Sequence, residues 1–204
     1  MTEAAVTTKE RIIDAAINSF SAKGYSETSM KDIAGLVGIK PASIYNHFKA
    51  KEEILDTILN EYISNSNQNV LQLEEIDELI GIEDAKTILN RLFFSFTPDK
   101  ADRYTKILKI ITHEQFREPK ATVFIRDHLL KDCQKYIQEV IDRLVAAGEI
   151  PPVQSGIYAK ILVSLTLSSS VEMMFYGLET YQQMDRVTRG ETISFLIEQI
   201  VSGR

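Results

Sequence analysis

Between Lys40 and Lys51 the chain sets Ala42, Ser43, Tyr45, Asn46 and His47 close together. The group offers a carboxamide, two hydroxyls, an imidazole, a small methyl and flanking ammonium groups, and it matches no nucleophile motif. Such a set suits a nucleic-acid duplex, whose base edges are read by hydrogen bonds and methyl contacts and whose phosphates are gripped by cations and hydroxyls. An Asn amide can bond adenine through both its atoms, and an Ala methyl can pack on the thymine methyl. On a helical wheel of about 100° per residue with Ile44 inward, Phe48 lies beside it. Ala42 and Asn46 then point the opposite way, and Ser43 and Tyr45 take the flanks. Ala42, Ser43 and Asn46 are therefore the candidates for base edges, with Lys40 placed for base or phosphate. Tyr45, His47 and Lys51 suit phosphates, and Ser29 and Lys31, a helix earlier, suit the flanking backbone. The competing role for Tyr45 is packing, and for His47 local capping or packing.

The rest of the chain carries little catalytic chemistry. There is no His-Glu-x-x-His spacing, no glycine-rich phosphate loop and no nucleophile motif. Cys133 and His128 are five residues apart, about 140° around a helix, and form no local dyad. These absences argue against an enzyme, a metal site or a cofactor. A lone cysteine forms no internal disulfide, which fits a reducing compartment and a cytoplasmic protein. Soft and aromatic residues gather in the central and later part: Phe93, Phe96, Tyr104, Phe116, Tyr136, Met173 and Tyr176. They are candidates for the wall of an apolar pocket, although each alone would serve equally as core. Two polar residues join them. Glu172 is a lone carboxylate in an apolar stretch, suited to a ligand or to an internal pair with Arg or His. His113 would need partners from elsewhere to bind anything, and a satisfied interior histidine is the simpler role.

The elements holding these residues are all helical. Apolar residues recur three and four apart throughout, as in Ile13, Ala16, Ile17, Phe20 and in Ile54, Leu55, Ile58, Leu59, Tyr62, with no period-two alternation. Thr7 with Glu10, and Ser29 with Asp32, read as capping boxes; Gly24 and Gly38 close the helices that follow. Pro41 suits the first turn of a third helix, and a longer helix runs from about 51 to 62. Further helices are expected over 69–81, 83–97, 100–117, 120–147, 154–180 and 190–202. The net charge of −6 conceals a split, +2 over residues 1–51 and −8 over 52–204. The start has no basic-then-apolar leader, and no run reaches the roughly 20 apolar residues a membrane span needs.

Ala34, Gly38 four residues on and Ile44 six further meet the demands of a helix-turn-helix: a small residue at the crossing, a glycine in the turn and an apolar anchor on the second helix. The stretch TSMKDIAGLVGIKPASIYNHFKAKEEIL resembles the DNA-binding domain of the tetracycline-repressor (TetR) family. Ser29, Ile33, Ala34, Gly38, Ile39, Tyr45, His47, Phe48, Lys51, Glu52 and Leu55 fall on that family's pattern, as do Ala15, Ala16, Phe20, Gly24 and Tyr25. Lys40, Ala42, Ser43 and Ala50 depart from it at the DNA surface, so no operator sequence carries over.

The resemblance implies an all-α protein with a three-helix DNA-binding domain over 1–51 and a larger helical effector-binding and dimerisation domain over 52–204. It implies a homodimer built from the last two helices, a palindromic duplex operator, and release by a small, hydrophobic effector through the helix 51–62. The stripe Ala159, Val163, Leu167, Ser170, Met174, Gly177 would face the partner or the chain's own interior. A repressor is the expected role, with an activator of the same family or a helical interaction module as alternatives.

Overall fold

The structure, a computed structural model, describes residues 6–68, 70–94, 101–176 and 178–203; side chains at helical positions 67, 68, 93, 94, 101, 169, 170, 173, 174 and 178–189 lie outside the description. The described residues form helices joined by turns and short loops, with one isolated bridge between Ile80 and Glu83. The helices are α1 (Thr8–Lys23), α2 (Met30–Val37), α3 (Pro41–Ile44), α4 (Lys51–Gln68), α5 (Leu73–Leu79), α6 (Ala85–Phe94), α7 (Ala101–Glu114), α8 (Pro119–Phe124), α9 (Cys133–Ala146), α10 (Ser155–Tyr176) and α11 (Leu178–Ser202). A π-helical segment, Ile125–Asp132, leads from α8 into α9.

Local chemistry sets the first three. Thr7 accepts the Glu10 amide while the Glu10 carboxylate takes the Thr7 amide, and Ser29 and Asp32 repeat the exchange at the head of α2. Gly38 ends α2 at φ 76, in the left-handed region, where a Cβ would cost about 1–2 kcal/mol. Pro41 opens α3 with its fixed φ, since Lys40 supplies no side-chain cap.

Beyond shifts of a few residues at several helix ends, three features differ from the spacing-based expectation. Helix α4 continues past Tyr62 to Gln68, through the polar residues SNSNQ. The helix expected over 120–147 is split by the π segment, in which no residue is fully buried. Phe124 and Leu129 are five apart, a separation that matches the wider π turn and not the α repeat. Helix α11 begins at Leu178 and not near 190. The apolar residues of 178–189 (Leu178, Tyr181, Met184, Val187) recur strictly three apart and so drift around a helix without making one stripe, yet the Leu, Glu, Gln, Met and Arg content favours helix.

The chain forms two compact units, Met1–Asn65 with Lys100–Phe124, and Ser66–Asp99 with Ile125–Arg204. In the first, α1 packs on α2 and α7, and α2 on α3; Ile12, Ala16, Ile33, Ala34, Ile44, Phe48, Ile54 and Ile58 are fully buried. Its α4, α7 and α8 meet through Tyr62, whose ring stands edge-on to Tyr104 (5.4 Å) and Phe124 (5.6 Å). In the second, α10 packs on α9 and α11, and α11 on α6, around a core that includes Ile76, Leu89, Ile141, Leu144, Leu162 and Ile197.

Candidate nucleic-acid interface

One helical turn separates structure from surface. The amides of His47 and Phe48 both donate to the Ile44 carbonyl at 3.0 Å, carrying the turn on past α3. Ile44 and Phe48 are fully buried. Lys40, Ala42 and Asn46 are exposed, Tyr45 is 53% exposed, and Ser43 and His47 are half-buried at the rim. Tyr45 is thus not a packing residue. The side chains expected to read bases or touch phosphate, Lys51 excepted, are each exposed or half-buried in their own elements.

Lys51 is turned inward. Its ammonium donates to the carbonyls of Tyr25 (2.6 Å) and Thr28 (2.9 Å), with Ser26 at 3.5 Å, and sits 4.2 Å from the centre of the Tyr25 ring. Three carbonyls at the α1–α2 turn take up its hydrogens, so in this structure Lys51 is a strut joining α4 to that turn. Lys51→Met is expected to cost about 1–3 kcal/mol of stability and to leave the salt dependence of duplex binding unchanged. A phosphate-contacting lysine would instead lower the slope by about one. Thermal melts and a salt titration of duplex affinity separate the two.

Arg11, which sequence reasoning passed over, plays a similar part. Its guanidinium donates to the Val37 carbonyl at 2.5 Å and so fastens α1 to the end of α2. Lys9, Lys23, Lys31, Lys40 and Lys49 remain exposed in residues 1–51. The Lys9 ammonium lies 5.3 Å from the Phe48 ring centre.

At the head of α2 the Ser29 hydroxyl and amide both bond the Asp32 carboxylate, at 2.6 and 2.9 Å. These bonds, the hydroxyl first, hold the Asp32 carboxyl below the ordinary carboxylate range. Ser29 is thus occupied as a cap, and the exposed Lys31 is the hydrogen-bond donor of that pair left open to a phosphate. Ala50 brings no cap to α4; Glu53 reaches back to the Lys49 amide at 2.8 Å instead.

The pocket candidates do not converge. Tyr104 is buried against Tyr62 in the first unit. His113, expected in an interior or a pocket, is exposed, as is Phe116 at 91%; both stand where α7 ends and the chain turns toward α8. In the second unit Tyr136 donates to the Leu71 carbonyl at 2.6 Å and packs on the core. That burial, reinforced by Glu75, pushes its phenol up to about 12. Glu172 is exposed and bonded by Ser168 at 3.4 Å, so it is no internal ion pair, and Tyr176 is exposed too. Phe96 and the side chains of Phe93 and Met173 lie outside the described residues. Among the described residues no three His, Cys, Asp or Glu side chains assemble as a metal set, and no helix is long and apolar enough to cross a membrane.

The stripe expected on the partner side of α10 is partly internal. Ala159 and Val163 are core residues of the second unit and Leu167 packs against them; the side chains of Ser170 and Met174, and Gly177, lie outside the described residues. The opposite face exposes Ile157, Ile161, Ser164, Ser168, Val171 and Phe175, the last at 83%, and α11 adds exposed Phe195. Their spacing alternates four and three, the repeat of a helix that lies along another.

Residues 12–58 match the family model of bacterial regulatory proteins of the tetR family. The chain is 26% identical over 173 residues to the HTH-type transcriptional regulator YvkB of Bacillus subtilis, covering 83% of this chain and 85% of that one. It is 34% identical over 99 residues to the biofilm operon icaADBC negative transcriptional regulator IcaR of Staphylococcus aureus, 48% of this chain and 50% of that. The structure of a SmeT–triclosan complex shares the fold, with TM-score 0.72 and 20% identity over 93% of this chain and 89% of that one.

Proposed function

We propose that this chain, whose residues 12–58 match the tetR family of bacterial regulatory proteins, is a transcriptional regulator of that family and not an enzyme, and that it represses transcription as a homodimer on a two-fold operator and leaves it when a small apolar effector binds. The observation that carries the reading is the sorting of one turn: Ile44 and Phe48 buried to hold it, Ala42, Tyr45 and Asn46 held out. Residues 1–51 are the reader, and 52–204 hold the effector and the partner. A reader this small covers one half-site, so two copies are needed. The exposed α10 face from Ile157 to Phe175, with Phe195, is the surface through which they meet. IcaR is a negative regulator, which favours repression over activation, and SmeT was solved with triclosan, which favours an apolar effector. Such an effector shifts the dimer only by its differential affinity for the bound and released states. Acting on operator DNA, the protein works in the cytoplasm.

Selection of binding sites from a randomised duplex pool tests this reading. Asn46→Ala is expected to relax the preference at one or two positions of each half-site, at about 1–3 kcal/mol for each lost bidentate pair. Lys31→Ala is expected to weaken all sequences alike. An unchanged selected motif would remove Asn46 from base reading, and failure of the unaltered protein to enrich any sequence would defeat the reading.

A further inference from the structure

Three elements meet at Tyr25, in the turn between α1 and α2, two of them on its main chain. Its amide donates to Glu114 Oε1, at the end of α7, over 3.0 Å. Its carbonyl accepts from Lys51 Nζ, at the start of α4, over 2.6 Å. Its ring meets Phe20 of α1 edge-on at 5.1 Å. Glu114 is only 1% exposed, and among the described residues its second oxygen, Oε2, is buried without a hydrogen-bond partner. A buried carboxylate is costly unless its bonds compensate; here the compensating bond is charge-assisted and falls on backbone. A Cβ at Gly24 would stand 3.4 Å from Glu114 Oε1, at a φ of 98 that disfavours side chains. The carboxylate is therefore seated against the turn itself. At the other end of α7, Arg103 donates to both oxygens of Glu61 on α4, at 2.6 and 2.9 Å, and to Asp14 on α1. The two ends of α7 are both fastened to the reader. The Glu114 end holds main chain, at Tyr25, four residues before Ser29 caps α2.

We propose that Glu114 is a positioning residue for DNA binding, its buried carboxylate holding the Tyr25 amide so that a movement of α7 moves the turn that sets α2 and the reading surface. The proposal rests on the DNA-binding reading of α2 and α3. Glu114 itself touches no DNA on this view.

Hydrogen exchange and duplex binding of the full chain test it together, in Glu114→Ala, Glu114→Asp and Glu114→Gln. In the Ala variant, exchange over residues 24–37 is expected to rise about tenfold while residues 133–146 keep their protection. Affinity for the selected duplex should fall by a similar factor, with the salt slope unchanged because no phosphate contact is lost. Gln keeps an acceptor for the Tyr25 amide and is expected to restore both. Asp withdraws the acceptor while keeping the charge, and should resemble Ala even if Ala itself folds poorly. Unchanged exchange over 24–37 in Ala and Asp would overturn the proposal, as would raised exchange with duplex affinity intact. Absence of duplex binding by the unaltered protein would instead overturn the DNA-binding reading, and the role assigned to Glu114 with it.

Discussion

Glu at both Ile161 and Phe175 is expected to turn the protein into a monomer and to weaken operator binding by about a hundredfold or more. Both side chains are exposed on α10, on the face turned away from the Ala159–Leu162–Val163 core. Their replacement should leave the fold intact, since surface substitutions away from special features fall within about 0.5 kcal/mol. Two new carboxylates per chain would face two more across a two-fold interface, where residue meets its own copy or its near neighbours. Each reader would then bind its half-site alone and lose the effective concentration that linkage supplies. Sedimentation velocity gives the mass and fluorescence anisotropy the affinity. A variant that still sediments as a dimer would move the interface elsewhere on the chain.

Phe48→Ala is expected to destabilise the first unit by about 3–5 kcal/mol, the range for deleting a fully buried aromatic side chain. Phe48 is fully buried beneath the reading turn, and its amide closes that turn on Ile44. Loss of the ring would leave a cavity under Asn46 and Tyr45 and remove the surface over which Lys9 sits. Tyr45→Ala, three residues earlier, should behave oppositely: nearly unchanged stability with weakened duplex binding. Denaturant melts of the two variants beside their duplex affinities test the pair. Equal destabilisation by both would mean that the turn does not divide its residues between support and contact.

What was legible in the sequence is what is local. The Thr7–Glu10 and Ser29–Asp32 caps span three residues, and the burial of Ile44 and Phe48 with Ala42 and Asn46 outside follows from one helical wheel. The fate of Lys51 does not, because its carbonyl partners lie 23 to 26 residues away and nothing in the sequence distinguishes an inward lysine from an outward one. Glu114 is harder still: its partner is 89 residues distant and is a backbone amide, which has no side-chain signature. Gly24 and Tyr25 stood out as a pattern without revealing what the turn holds. In the second unit the stripe Ala159, Val163, Leu167 has the spacing of either an interface or a core; only packing against α9 and α11 shows it to be core. Glu172 and His113 are exposed for a reason the sequence also leaves open, since a polar residue among apolar neighbours faces solvent or interior according to the register of its helix.

The central claim is that residues 1–51 read duplex DNA by sequence. Its most direct test is a fluorescence-anisotropy titration of the full protein against duplex from its own upstream region and against a scrambled duplex, at several salt concentrations. Five exposed lysines per reader, ten per dimer, bound the slope of log affinity against log salt at about −9. The account predicts tight binding to the upstream duplex, at least about a thousandfold over the scrambled one, falling linearly with salt within that bound. Equal affinity for both duplexes, or binding indifferent to salt, would contradict it.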